Sequence, residues 1–273
     1  MYIPIKYLYI TAFCMMISCL AAAQNTDTIY YRAQSVRSAG VGFPALNYSL
    51  LSQLKHSGYS FNFHSTRFRE KPKYFSQLRL HFDLGLLYNN ANDSYITTLG
   101  FHGGWSRHRH VSDRTRPLRL LLGAGLDSGV AIYLKEDNTN NPLAYFFNLS
   151  VSPNLLFKYR FNIRQTRFEI AQQIDVPFVS LVSSSDYSSG LAIGIIEKDA
   201  NFFDAMRLTS FGSLKKCVTI TTLDVTPSAQ RRQKMPVFRV TYIFSGMNYR
   251  NGDFTIKSTD NMLLFGLIFH LFR

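Results

Sequence analysis

The chain has 273 residues, of which 46% are hydrophobic, 15% aromatic and only 17% charged. Lys and Arg number 30 against 17 Asp and Glu, a formal charge of +13. This excludes a disordered chain, which needs low hydrophobicity and high charge, and the lack of a Gly-X-Y period or a sustained heptad excludes collagen and coiled coil.

Residues 1–23 read as a secretory signal: Lys6, an apolar run from Tyr7 to Leu20, then Ala21-Ala22-Ala23 before Gln24, with the cut expected after Ala23. A lipoprotein anchor through Cys19 is disfavoured by Met16 three residues before it. Cys14 and Cys19 leave with the signal, so the mature chain, 24–273, keeps Cys217 alone. A single cysteine makes no intramolecular disulfide. It is read as a plain buried or lumen residue. Beyond the signal no apolar run reaches the roughly 18 residues of a membrane-crossing helix. An exported, aromatic-rich chain is then periplasmic, secreted or an outer-membrane β-barrel, and side-chain periodicity decides among these.

Ten strands are expected, over roughly 34–43, 58–69, 73–88, 94–108, 117–134, 144–161, 165–182, 208–225, 235–249 and 260–272. Between the first two, Leu46, Leu50, Leu51 and Leu54 share one face of a short helix, read as packing on the strands in preference to a lid or a lipid-resting segment. In the third strand Leu78, Leu80, Phe82, Leu84, Leu86 and Tyr88 share one parity, while Gln77, Arg79, His81, Asp83 and Gly85 share the other. That run is longer than the 5–6 residues of an ordinary globular strand. The pattern recurs in Leu118–Leu126 against Arg119 and Asp127, in Tyr145–Val151 against Asn148 and Ser150, in Phe238–Phe244 against Arg239, and in Leu263–Leu271 against Gly266. An apolar parity of Leu, Phe and Tyr opposed by Arg, His, Asp, Asn, Ser and Gly is what a small barrel in lipid requires. Tyr74, Tyr88, Tyr95, Trp105, Tyr145 and Tyr159 near strand ends suit interfacial girdles.

The reading is therefore an all-β, antiparallel transmembrane β-barrel of about ten strands, with eight to twelve allowed because 183–212 holds or lacks a hairpin. With the N-terminus periplasmic, the connections near 70–72, 109–116, 162–164 and 226–234 become periplasmic turns. The segments 44–57, 89–93, 135–143, 183–207 and 250–259 become external loops. Charge sorts the same way, with Arg69, Lys71, Arg109 and Arg116 on the turn side and Asp93, Glu136, Asp186 and Asp253 on the loop side.

Gly40-Val41-Gly42, Leu46, Leu51-Ser52-Gln53-Leu54 and Gly58, followed by an alternating strand, resemble an uncharacterised family of Bacteroidetes outer-membrane barrels. Members read Gly-x-Gly, then Leu-Asp-x-Tyr-Leu-Ser-Pro-Leu, an aromatic and Gly. Here Tyr48 stands for the Asp, Leu50 for the Tyr and Gln53 for the Pro, so a role tied to that Asp does not carry over. The spacing agrees onward through Asp175-Val176-Pro177 and the final hairpin. The resemblance implies fold and location and no activity.

The strongest polar constellation is Arg79, His81 and Asp83 at period 2, with His102, Asp127, Glu169 and Asp175 as partners from other strands. Its functional reading is an acid–base set acting on lipid; the preferred reading is a hydrogen-bonded lumen filling. His110-Val111-Ser112 resembles the His-x-Ser spacing of some outer-membrane lipid hydrolases, but it sits in a basic turn on the periplasmic side. The catalytic candidates are thus His81, Asp83, His110 and Ser112, each secondary to a structural reading. Glycines such as Gly100, Gly104 and Gly123 lie inside strands and lead into no helix, which suits close lumen packing and not phosphate loops. No cofactor or metal set is read. The scattered basic residues offer no nucleic-acid motif, and membrane lipid and lipopolysaccharide are the expected counter-charges of a monomer with no identified small ligand. The function read is an outer-membrane barrel with a structural, small-solute-passage or surface-interaction role, the alternative being a lipid-modifying hydrolase.

Overall fold

The computed structural model describes residues 33–91, 93–113, 116–135, 143–164, 166–185, 206–227, 237–252 and 254–270. The strands are β1 (Ala33–Gly42), β2 (Ala45–Tyr48), β3 (His56–Glu70), β4 (Tyr74–Asn89), β5 (Ser94–His110), β6 (Leu118–Leu134) and β7 (Leu143–Ile163). They continue as β8 (Thr166–Asp175), β9 (Val179–Ser184), β10 (Arg207–Ser210), β11 (Leu214–Thr226), β12 (Val237–Asn251) and β13 (Phe254–His270). The signal segment and its cut lie outside the described residues.

Three pairs of these strands are single staves with a break. Phe43-Pro44 interrupts β1/β2, Val176-Pro177-Phe178 interrupts β8/β9, and Phe211–Ser213 interrupts β10/β11. Proline supplies no N–H to the ladder, so pairing lapses at the first two. The chain stays bonded around them, with Phe43 N donating to Asn261 O at 2.9 Å and Phe178 N to Val151 O at 2.9 Å. Ten staves result, all antiparallel, in the order β7-β6-β5-β4-β3-β1-β13-β12-β11-β8, and β8 pairs back onto β7 to close the ring. Closure leaves the main path of the barrel without a free edge, the condition under which backbone can sit in hydrocarbon.

The expected strands are all present. The outward parity of β4, from Leu78 to Tyr88, is between 39% and 54% exposed at every position. Phe61, Phe101, Leu122, Leu126, Phe238 and Phe265 do the same on other strands. A surface this apolar is what lipid requires and water disfavours.

Four expectations are corrected. There is no long loop at 250–259, because β12 and β13 run on until Asn251 pairs with Phe254 across a turn with Gly252 at φ +53°. Arg250, Thr255 and Lys257 look like loop residues, yet they sit where long strands project past the apolar belt. The Leu46–Leu54 stripe is not a helix: Leu46 and Tyr48 alternate on β2, and Leu50 and Leu51 follow in a turn closed by Leu51 N and Ser52 N on Tyr48 O. Leu54 is exposed. Cys217 falls on the outward parity of β11, paired with Gly246, and is half-buried. The inward parity is not polar throughout. At the end opposite the strand that starts at Ala33, Leu46, Tyr48, Leu50, Leu51, Leu87, Ile96, Tyr133, Phe146, Val182, Tyr249, Phe254 and Ile256 form one buried apolar cluster inside the barrel. We call this the loop end and the opposite one the terminal end.

Candidate functional site

The lumen is layered. Beneath the apolar cluster lies a belt of polar side chains carried inward by period-2 alternation. His64 comes from β3, Arg79, His81 and Asp83 from β4, His102 from β5, Asp127 from β6 and Asp175 from β8. Glycines make the room: a Cβ at Gly100 would run into the Asp83 carboxylate, one at Gly129 into the His102 ring and one at Gly104 into Asp127.

Arg79 is the centre of one half of this belt. Its Nη1 donates to Asp175 Oδ2 at 2.8 Å and its Nη2 to Asp127 Oδ1 at 3.0 Å, so one guanidinium ties three staves together across the lumen. The other Asp175 oxygen accepts from Asn154 Nδ2 at 2.5 Å and from Gln173 Nε2 at 2.7 Å, and Gln77 bonds Gln173 in turn. Buried charges are tolerable only when paired and bonded in this manner. Lys216 on β11 is a second cation within electrostatic reach of the same two carboxylates.

The other half is a histidine row. The His64, His81 and His102 rings follow one another with centroids 5.8 and 5.9 Å apart, and His64 Nε2 lies 2.7 Å from Thr66 Oγ1. His81 Nε2 and His102 Nε2 both stand 3.6 Å from Asp83 Oδ1, too long for direct hydrogen bonds. Among the described residues the hydroxyl hydrogen-bonded to this row is that of Thr66, at its β3 end.

Towards the terminal end a cavity of about 60 Å³ separates this belt from a second ionic cluster. At about 10–15 Å³ per water it has room for a few waters. Its walls run from Gln77 and Arg79 past Phe68, Phe75 and Ile220 to Lys158 and Glu169. In the cluster below, Arg119 Nη1 donates to Glu70 Oε1 at 2.5 Å and Lys158 Nζ to Glu70 Oε2 at 3.4 Å, while Arg160 and Arg119 bond Glu169. Arg239 grips Asp224 with two bonds, at 2.5 and 2.6 Å.

The sequence candidates are thus separated. His81 and Asp83 come together with His102, and Arg79 with Asp127 and Asp175; Glu169 belongs to the lower cluster. His110 points inward, its Nε2 3.9 Å from Glu70 Oε1. Ser112 is in the following turn, where its Oγ accepts from Leu120 N at 2.8 Å. Sequence reasoning puts Arg119 on the polar parity without a partner and passes over Glu70, Lys158, Lys216 and His64, although each sits on the inward parity of its strand and is open to detection by that rule. Among the described residues no group of three or more His, Cys, Asp or Glu is arranged to hold a metal ion.

A family model described as "Protein of unknown function (DUF3316)" matches residues 8–273. Among solved structures, the outer membrane protease OmpT from Escherichia coli aligns with 90% of this chain and 99% of its own at 8% identity, with a TM-score of 0.52. The translocator domain of the autotransporter NalP from Neisseria meningitidis aligns with 97% of this chain and 96% of its own at 6% identity, with a TM-score of 0.44. The beta domain of the Bordetella autotransporter BrkA covers 89% and 100% at 10% identity, with a TM-score of 0.41. At 8% identity the likeness to OmpT concerns the fold alone. No curated protein matches the chain.

Proposed function

Since the chain belongs to the DUF3316 family of proteins of unknown function, we propose from its own geometry that it is a plugged outer-membrane barrel that works through its rims and outer surface. One observation carries this reading. The turn after β2 folds Leu50 and Leu51 into the loop-end mouth, where they join side chains from β4, β5, β6, β7, β9, β12 and β13 in a single buried cluster. A water-filled passage needs polar walls along its length, and this segment of lumen is filled by Leu, Ile, Tyr and Phe, with the buried His56 and Ser94 beside them bonded to each other. The Arg79 and Glu70/Glu169 networks cross the lumen below it, and each is paired within the barrel and so needs no substrate.

In the outer membrane, the loop end faces outward and the short turns face the periplasm. Lipopolysaccharide is then the natural neighbour of the loop end. Lys215, Asn248 and Lys257 occupy one outward row across β11, β12 and β13, with Arg250 beside them, and this row suits anionic sugar phosphates. The hydrolase alternative draws less support: His81 and Asp83 lie under the apolar cluster, and the Ser112 hydroxyl serves the Leu120 amide.

The test is planar-bilayer recording of the purified barrel beside fractionation of cells that make it. The expected result is protein in the outer-membrane fraction, heat-modifiable on gels and silent in the bilayer. Discrete conductance steps from the unaltered protein overturn the plugged reading; recovery in the soluble fraction overturns the membrane reading.

A further inference from the structure

The outer surface carries a strongly lopsided charge at the terminal end. On β3, Arg67 and Arg69 point outward and are exposed; on β5, Arg107 and Arg109 do the same. Arg37 of β1 pairs with Ser65 two positions nearer the belt, and Lys71 and Lys73 occupy the β3–β4 turn beside them. Among the described residues none of these seven is ion-paired, and no outward position of this face holds an acid; Glu70 turns inward to Arg119 and Lys158, and Asp113 lies off the strands in the β5–β6 turn. The outward face of β6 to β8 at the same end is apolar instead, with Leu118, Tyr159, Phe161 and Phe168.

The register gives the patch a shape. Ser76 of β4 pairs with Arg69 on one side and Arg107 on the other, so two guanidinium groups flank a small hydroxyl in one row. With strands about 4.8 Å apart, the two arginine Cα atoms stand roughly 10 Å from each other, a span their side chains can close on one phosphate. Arg107 lies over the Tyr74 ring, its Cζ 4.0 Å from the centroid, with Lys71 Nζ 5.2 Å from the same ring. One step towards the belt, Leu78 pairs with Trp105, and both are exposed. A cationic fork below an apolar, indole-topped strip matches a headgroup phosphate below acyl chains.

We propose that Arg69, Ser76 and Arg107, backed by Tyr74, form a binding site for the phosphate of an anionic phospholipid in the periplasmic leaflet. The site rests on the membrane reading given under Proposed function. The lipid class follows from charge: seven clustered cations with no acid at an outward position of the same face favour a headgroup that keeps its negative charge over a zwitterionic one.

The experiment is native mass spectrometry of the detergent-purified barrel titrated with equal amounts of phosphatidylglycerol and phosphatidylethanolamine, with heat-modifiability checked in each sample. The unaltered protein is expected to retain phosphatidylglycerol over phosphatidylethanolamine by about fivefold or more, as clustered Arg contacts to phosphate imply. R69Q/R107Q should fall to near parity, and K55Q/R207Q, which removes two exposed cations at the loop end, should keep the preference. Since the double variant keeps every inward residue, it should still migrate as a closed barrel. The site is overturned if a closed R69Q/R107Q barrel keeps the full preference, if K55Q/R207Q loses as much, or if the unaltered protein shows none. It is also overturned if R69Q/R107Q loses retention on peptidoglycan with its lipid ratio unchanged. A chain that neither enters vesicles nor migrates as a closed barrel instead defeats the membrane reading, and the lipid site with it.

Discussion

Tyr48 donates its phenolic hydrogen to the carbonyl oxygen of Ser185 at 2.9 Å, joining the turn that closes the barrel mouth to the end of β9. The two residues are 137 positions apart in the chain, yet Tyr48 also packs edge-on against Tyr133, with ring centroids 5.7 Å apart. The apolar filling is therefore anchored by one directional bond as well as by contact, which holds the turn in a single seat.

Tyr48→Phe removes that bond and leaves the ring. A buried carbonyl without its donor costs about 1–3 kcal/mol. Urea unfolding of the vesicle-inserted barrel should show a loss in that range, with conductance still silent. Tyr48→Ala removes the ring as well, and truncating a buried aromatic costs about 3–5 kcal/mol. That variant should show both the larger loss and flickering bilayer current.

Arg79→Met leaves the Asp127 and Asp175 carboxylates without their shared guanidinium. Removing one partner of a buried ion set costs about 3–5 kcal/mol, since uncompensated charge stays behind. Neutralising the whole set, Lys216 included, in R79M/D127N/D175N/K216M should recover most of that loss, measured by the same unfolding experiment. Equal losses in the single and quadruple variants would show that shape, not charge, governs this layer.

Gly40 and Gly212 separate space from mere flexibility. A Cβ at Gly40 would press into the backbone of Leu263 and Leu264 on β13, whereas one at Gly212 meets nothing within 4 Å. Overpacking against a backbone that cannot move aside costs about 1–3 kcal/mol. Gly40→Ala should lower stability and slow insertion, and Gly212→Ala should match the parent in both.

Ser112→Ala tests the hydrolase alternative. The hydroxyl accepts from Leu120 N, so its loss should cost about 0.5–1.5 kcal/mol of stability. Phospholipid release by the purified protein should be at background before and after the change. Cleavage that disappears in Ser112→Ala or His81→Ala, with heat-modifiability retained, would restore the enzymatic reading.

Much of this architecture was legible in advance, for a reason visible in β4. Leu78 to Tyr88 and Gln77 to Asp83 fall on opposite parities, and the strand keeps that alternation without a slip through fourteen successive pairings with β3. The ten staves followed from repeats of the same rule. The breaks at Pro44 and Pro177 were less legible, because the residues beyond each proline keep an unbroken alternation of their own. The apolar mouth was missed because Leu87 and Ile96 look like lapses in a polar parity until the other strands supply their partners. The candidate site divided in the same way. Arg79, His81 and Asp83 were recognisable as inward, but Glu169 was grouped with them, although it sits with Glu70, Arg119 and Arg160 nearer the terminal end.

Alternation alone determined which side of the wall each residue takes, because successive strand side chains point to opposite faces and hydrocarbon rejects charge from one of them. Which inward residues meet was decided only by closing the ring. Height along the axis depends on how far each stave is shifted against the next, and those shifts sum around ten pairings before Arg79 stands level with Asp175 or Leu51 reaches the mouth.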